Sequence, residues 1–149
     1  MGENGGRPVN AVLASWAKSE VLAFDCLFRA DGTAREADID GPEHLRLELG
    51  GPVDVAALVA DPPWDAGSVE VIDEVELPDG LGYVVHGDSG LGHLGFIGRL
   101  GPDRGLRWLL TTSTGNPFVG ASVDWPLAHF VNDWGSTLTL DLTDPDFAP

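Results

Sequence analysis

The stretch LGFIGRLGPDRGLRWLLTTSTGNPFVG, residues 94–120, decides the fold class. Residues 93–100 read as a strand, and GPDRG (101–105) reads as a five-residue hairpin loop with Pro102 suited to the first corner of a turn. Residues 106–113 answer as the returning strand. Within them Leu109, Thr111 and Ser113 share one face, and Trp108, Leu110 and Thr112 share the other, the period of two that marks a strand. The block TTSTGN invites a phosphate-cradle reading. A cradle needs a helix starting just after it, whose N–H groups point at the anion. The residues that follow, FVGASV (118–123), read as strand instead. Gly115, Asn116 and Pro117 then form the turn that closes the strand, and Phe118 returns the chain to the core.

Working outward, the same strand–turn rhythm recurs. Residues 82–86 form a strand before the loop HGDSGLG, while residues 119–123 and 127–132 flank an Asp124-Trp125-Pro126 corner. Asn132 to Gly135 make a further turn, and STLTLDL (136–142) alternates as the last strand. On the N-terminal side, residues 20–28 read as a strand. Asp31-Gly32, a pair that tolerates positive φ, predicts a β-hairpin between residues 21–29 and 33–40. Leu45, Leu47 and Leu49 alternate with Arg46 and Glu48 as a half-buried strand. Residues 9–17 fit either a short helix or a first strand. The best helix candidate is VDVAALVADPPW, with alanine and leucine inside and Pro62-Pro63 as a stop. In SVEVIDEVELPDG (68–80) the alternation slips at Ile72-Asp73, which predicts a bulge or bend. Strands at roughly 10–12-residue spacing predict a mainly β fold: an antiparallel meander, sandwich or strongly curved sheet with one short helix, with α+β as the close alternative.

At 149 residues this is one domain over residues 9–143, between a flexible leader (1–8) and a C-terminal tail (144–149). The formal net charge is −16, from eight Lys and Arg against twenty-four Asp and Glu. Such a chain repels phosphate backbones and anionic membranes and attracts basic protein partners. No segment reaches the ~18–20 apolar residues of a membrane span, and the N-terminus carries no signal-peptide pattern, so the expected compartment is the cytoplasm. Cys26 is the single cysteine and sits in an apolar run, where a buried, inert thiol is expected.

Three readings compete for function. The acidic run DAGSVEVIDEVELPD holds Asp65, Glu70, Asp73, Glu74, Glu76 and Asp79 without one basic residue. With Trp64 at its start and Trp134 in a later turn as aromatic anchors, it reads as a binding face for a basic protein. Glu70, Glu74 and Glu76 are expected on one face if the slip lies between them. The loop HGDSGLGH places His86, Asp88 and His93 near one another, the donor types of a zinc or iron site, and so sustains an alternative as a metal-dependent enzyme or metal-binding protein. The GDSG within it resembles a protease nucleophile motif, but nothing positions a histidine and an acid for Ser89. A homodimeric structural domain is the third reading. The first reading implies neither catalysis nor a cofactor.

The last segment, WLLTTSTGNPFVGASVDWPLAHFVNDWGSTLTLDL, runs strand, Asn-Pro-Phe turn, short strand and closing strand. It resembles the C-terminal meander of small acidic bacterial proteins grouped with the immunity proteins of toxin systems. The resemblance implies a non-enzymatic protein that binds and neutralises a basic toxin domain. It carries over no individual site residue.

Overall fold

The computed structural model describes residues 10–60, 66–88, 94–113 and 117–148; the leader expected over residues 1–8 lies outside them. The chain opens with helix α1 (Ala11–Ala17), where the helix-or-strand choice is settled by its cap. The Asn10 side chain accepts from the Val12 and Leu13 N–H groups, satisfying donors that a helix start leaves free. Strands β1 (Glu20–Leu22), β2 (Cys26–Arg29), β3 (Ala34–Asp40) and β4 (Arg46–Val53) follow, then helix α2 (Val55–Ala60). Next come β5 (Ala66–Ser68), β6 (Glu70–Glu76), β7 (Tyr83–Asp88), β8 (Gly95–Leu100) and β9 (Leu106–Thr112). The last three strands are β10 (Phe118–Asp124), β11 (Leu127–Asn132) and β12 (Thr137–Asp141). The fold is mainly β, as the strand spacing predicts.

Three layers result. The central one is a seven-stranded sheet, all antiparallel, in the order β4-β3-β2-β9-β8-β7-β6. A three-stranded sheet, β10-β11-β12, covers one face; α1, α2 and the small β1–β5 pair cover the other. Both faces of the middle strands are therefore buried. This is why β8 and the end of β9 are apolar or small at nearly every position instead of alternating. Leu27, Val84, Ile97, Trp108 and Leu110 meet Phe118, Phe130, Leu138 and Leu140 of the second sheet. Cys26, Phe28, Phe96 and Leu109 point the opposite way, toward Val12, Val21, Leu22 and Val55. Each buried aromatic of this kind contributes on the order of 1.5–3 kcal/mol.

Several local expectations hold in detail. β2 and β3 form the predicted hairpin, with Gly32 at φ +91° and the Asp31 carboxylate accepting from the Thr33 N–H and hydroxyl. The register of β6 against β7 shifts between Val71 and Asp73, the bulge that the broken alternation predicts. Two expectations need correction. Residues 20–28 are not one strand: β1 pairs with β5, whereas β2 enters the main sheet. The Thr111 hydroxyl donates to the Leu22 and Phe24 carbonyls and holds the break between them. Nor does the meander continue past β9. β9 pairs with β8 and β2, and the chain leaves that sheet to begin the second one at β10.

The C-terminal stretch is part of the sandwich. Phe147 stands edge-on to Trp108, with ring centroids 5.4 Å apart. Its carbonyl accepts from Trp108 Nε1 at 2.9 Å and from Arg99 Nη1 at 3.0 Å. Arg99 is only 1% exposed and enters no ion pair among the described residues; a second carbonyl, that of Leu142, accepts from it at 3.2 Å. Burial, and then the neighbouring Arg107, lowers its pKa. Arg29 and Arg35 both reach the Asp146 carboxylate and fasten the same stretch from outside.

Candidate functional site

The sequence singles out the β6 segment, and the structure places it at one edge of the central sheet. Asp73, Glu76 and Asp79 are exposed there. Glu74 is already engaged: Arg104 forms two hydrogen bonds to its carboxylate, at 3.1 and 2.9 Å, while stacking 4.3 Å from the Tyr83 ring. The hydrogen bonds from Arg104 hold the Glu74 carboxyl below the usual carboxylate range. Glu70 pairs in register with Asp88 across β7; its side chain, like Trp64 and Asp65 entirely, lies outside the described residues. Trp134 sits at the β11–β12 turn, 80% exposed, far more open than any core tryptophan.

The alternative metal set is placed as follows. His86 is fully buried between the sheets, its Nδ1 2.9 Å from the Phe118 carbonyl and its ring edge-on to Phe130. Asp88 is half-buried at the end of β7, and His93 and Ser89 lie outside the described residues. Among the described residues no three His, Cys, Asp or Glu side chains are grouped to hold a metal ion.

A different acidic face emerges from the fold. On β3, Glu36, Asp38 and Asp40 alternate with the inward-facing Ala37 and Ile39 and project on the helix side of the sheet. The helical layer packs over the central strands and leaves this end open. The hairpin register sets Asp38 directly opposite Glu48, and Asp25 and Gly50 complete an open trough of about 350 Å³. Like charges directly opposite across a strand pair are destabilising. None of these carboxylates enters an ion pair among the described residues, whereas Arg29, Arg35, Arg104 and Arg107 all do. The field is felt inside the sheet as well. The Cys26 thiol is pushed up to about 11, first by burial and then by the Asp25 and Glu36 carboxylates.

The opposite face of β4 is apolar. Leu45, Leu47 and Leu49, with Leu138, Leu140 and Phe147, line an open groove of about 570 Å³ between β4 and β12, rimmed by Arg35, Arg46, Asp141, Asp144 and Asp146. Among the described residues the backbones of the two strands are bridged at its head. There Leu45 N–H donates to the Thr137 carbonyl (2.7 Å) and Thr137 N–H to the Glu43 carbonyl (2.8 Å), a single parallel bridge.

Sequence reasoning missed the β3–β4 face because its acids come from three separate segments. The available signal was the alternation of Glu36, Asp38 and Asp40 on a strand already predicted to pair with its neighbour. No family model matches the chain, and no curated protein or solved structure matches it either. No helix among the described residues is long and apolar enough to cross a membrane.

Proposed function

We propose that this chain is a non-enzymatic binding protein whose acidic β3–β4 face covers a positively charged surface on a partner protein. The observation that carries the reading is the Asp38–Glu48 pair, set directly opposite each other with Glu36, Asp40 and Asp25 around them and Arg46, opposite Asp40, as the one nearby cation among the described residues lining this face. A fold that holds like charges together keeps an energetic cost that a cationic partner relieves, and the surrounding negative field speeds its approach. The exposed acids of β6, at the opposite edge of the sheet, add to the overall negative field. Neutralisation of a basic toxin domain in the cytoplasm, as the C-terminal resemblance implies, is the biological form that fits this chemistry.

The test is affinity capture from the native host with the wild-type chain and with the D38K/E48K variant. A basic protein held by the wild type at low salt, released by high salt and lost with the variant supports the reading. Recovery of no basic partner, or identical recovery with both chains, overturns it.

A further inference from the structure

The acidic face and the leucine groove are the two sides of one strand, and that strand has a free edge. β4 ends the seven-stranded sheet, and among the described residues its outer edge is joined to another strand only by the bridge at its head. The direction of its free backbone groups follows from the bridge at its head. Glu43 C=O and Leu45 N–H point toward β12. Alternate residues of a strand direct their N–H and C=O to the same side, so those of Leu47 and Leu49 also point away from β3. The open run ends at Gly50, whose carbonyl is taken by Arg35 Nε (3.0 Å), where the β3–β4 register shifts and Pro52 follows.

We propose that this edge receives an extended segment of the partner as an added strand, and that the segment alternates apolar with basic residues. This rests on the acidic-face reading above and specifies how that face is used. The alternation follows from the pleat. In a strand laid beside β4, side chains next to Leu47 and Leu49 turn into the leucine-lined groove, and the intervening ones stand on the face of Arg46, Glu48 and Gly50, where Glu36, Asp38, Asp40 and Glu48 outnumber the single Arg46. Apolar residues fill the first set of positions and Lys or Arg the second. Backbone hydrogen bonds supply affinity, and the two-sided pattern supplies selectivity. A second copy of this chain is a poor occupant because two chains of net charge −16 repel each other on approach.

The probe is a peptide of about seven residues alternating lysine with valine. Its controls are an isomer of the same composition with the lysines grouped, and a copy N-methylated at alternate amides. Binding is followed by amide chemical shifts of the isotope-labelled full chain. The expected result is that the alternating peptide binds at least about tenfold more tightly than its isomer. It should shift the amides of Leu47 and Leu49, lose affinity on N-methylation, and bind D38K/E48K about tenfold or more weakly. Equal binding of the two isomers, with shifts confined to the acidic face, overturns strand addition and leaves the acidic-face reading standing. Binding of neither peptide overturns strand addition; if the capture experiment also fails, both readings fall. Self-association by light scattering that involves the β4 edge overturns the choice of occupant.

Discussion

Truncating Phe147 to alanine tests whether the C-terminal stretch is structural. The ring is 7% exposed and packs edge-on against Trp108, which is fully buried. Burying a phenylalanine side chain is worth roughly 1.5–3 kcal/mol, and an aromatic edge contact adds about 0.5–1.5. Full-core Phe→Ala losses run to about 3–5 kcal/mol because a cavity remains. Phe147 borders the open groove beside β12, so water can enter the space left by the ring, which favours the lower part of that range. The backbone carbonyl that serves Trp108 and Arg99 is retained in the variant. The expected loss for F147A is therefore about 3 kcal/mol, or about 6–12 °C in Tm for a chain of this size. Equilibrium urea unfolding, followed by tryptophan fluorescence, measures it, and F147L should recover most of the loss. A change below about 1 kcal/mol would show that the stretch merely lies on the domain and that the core closes without it.

Other outcomes follow from the same contacts. E48K should raise stability by about 0.2–1 kcal/mol, since it replaces a like-charge cross-strand pair with an opposite one; a measurable loss in urea unfolding would refute the repulsion argument. Cys26, with its thiol raised to about 11, holds only about a thousandth of its thiolate at pH 8. Native protein should resist alkylation at that pH, and labelling as fast as in denaturant would contradict the burial. The Glu74 carboxyl is lowered by Arg104. Its contribution is therefore present above the unfolded carboxylate pKa of about 4.3 and is lost as pH falls through the lower folded value. Solvent screens this exposed pair, so E74Q should barely shift the acid-unfolding midpoint; a large shift would reveal a role that the geometry does not show.

Legibility of the fold varied with the range of the interaction. The β2–β3 hairpin, the bulge beside Ile72, the 101–105 loop and the strand alternation of residues 136–142 are local, and their sequence carries them. The insertion of β9 between β8 and β2 is not local. Nothing in LRWLLTT distinguishes one antiparallel neighbour from another, and its double-sided burial blurs the alternation that would mark a face. The break near Phe24 depends on a hydroxyl supplied by Thr111 from the far end of the chain. The candidate site follows the same rule. The run around Glu74 is conspicuous because its acids are contiguous, yet one of them is neutralised by Arg104 from another loop. The face around Asp38 is inconspicuous because only pairing assembles it.

The placement of β9 also has a kinetic consequence. Until Trp108–Thr111 is available, Cys26–Arg29 has a neighbour on one side only, and β8 likewise has only β7. A growing chain that has emerged only through β8 thus holds two separate apolar sheets with bare edges, each able to pair with another molecule. The step that joins them closes a very long loop, so folding should be slow for a domain of this size. A chain cut between Leu100 and Leu106 should yield an N-terminal fragment that aggregates.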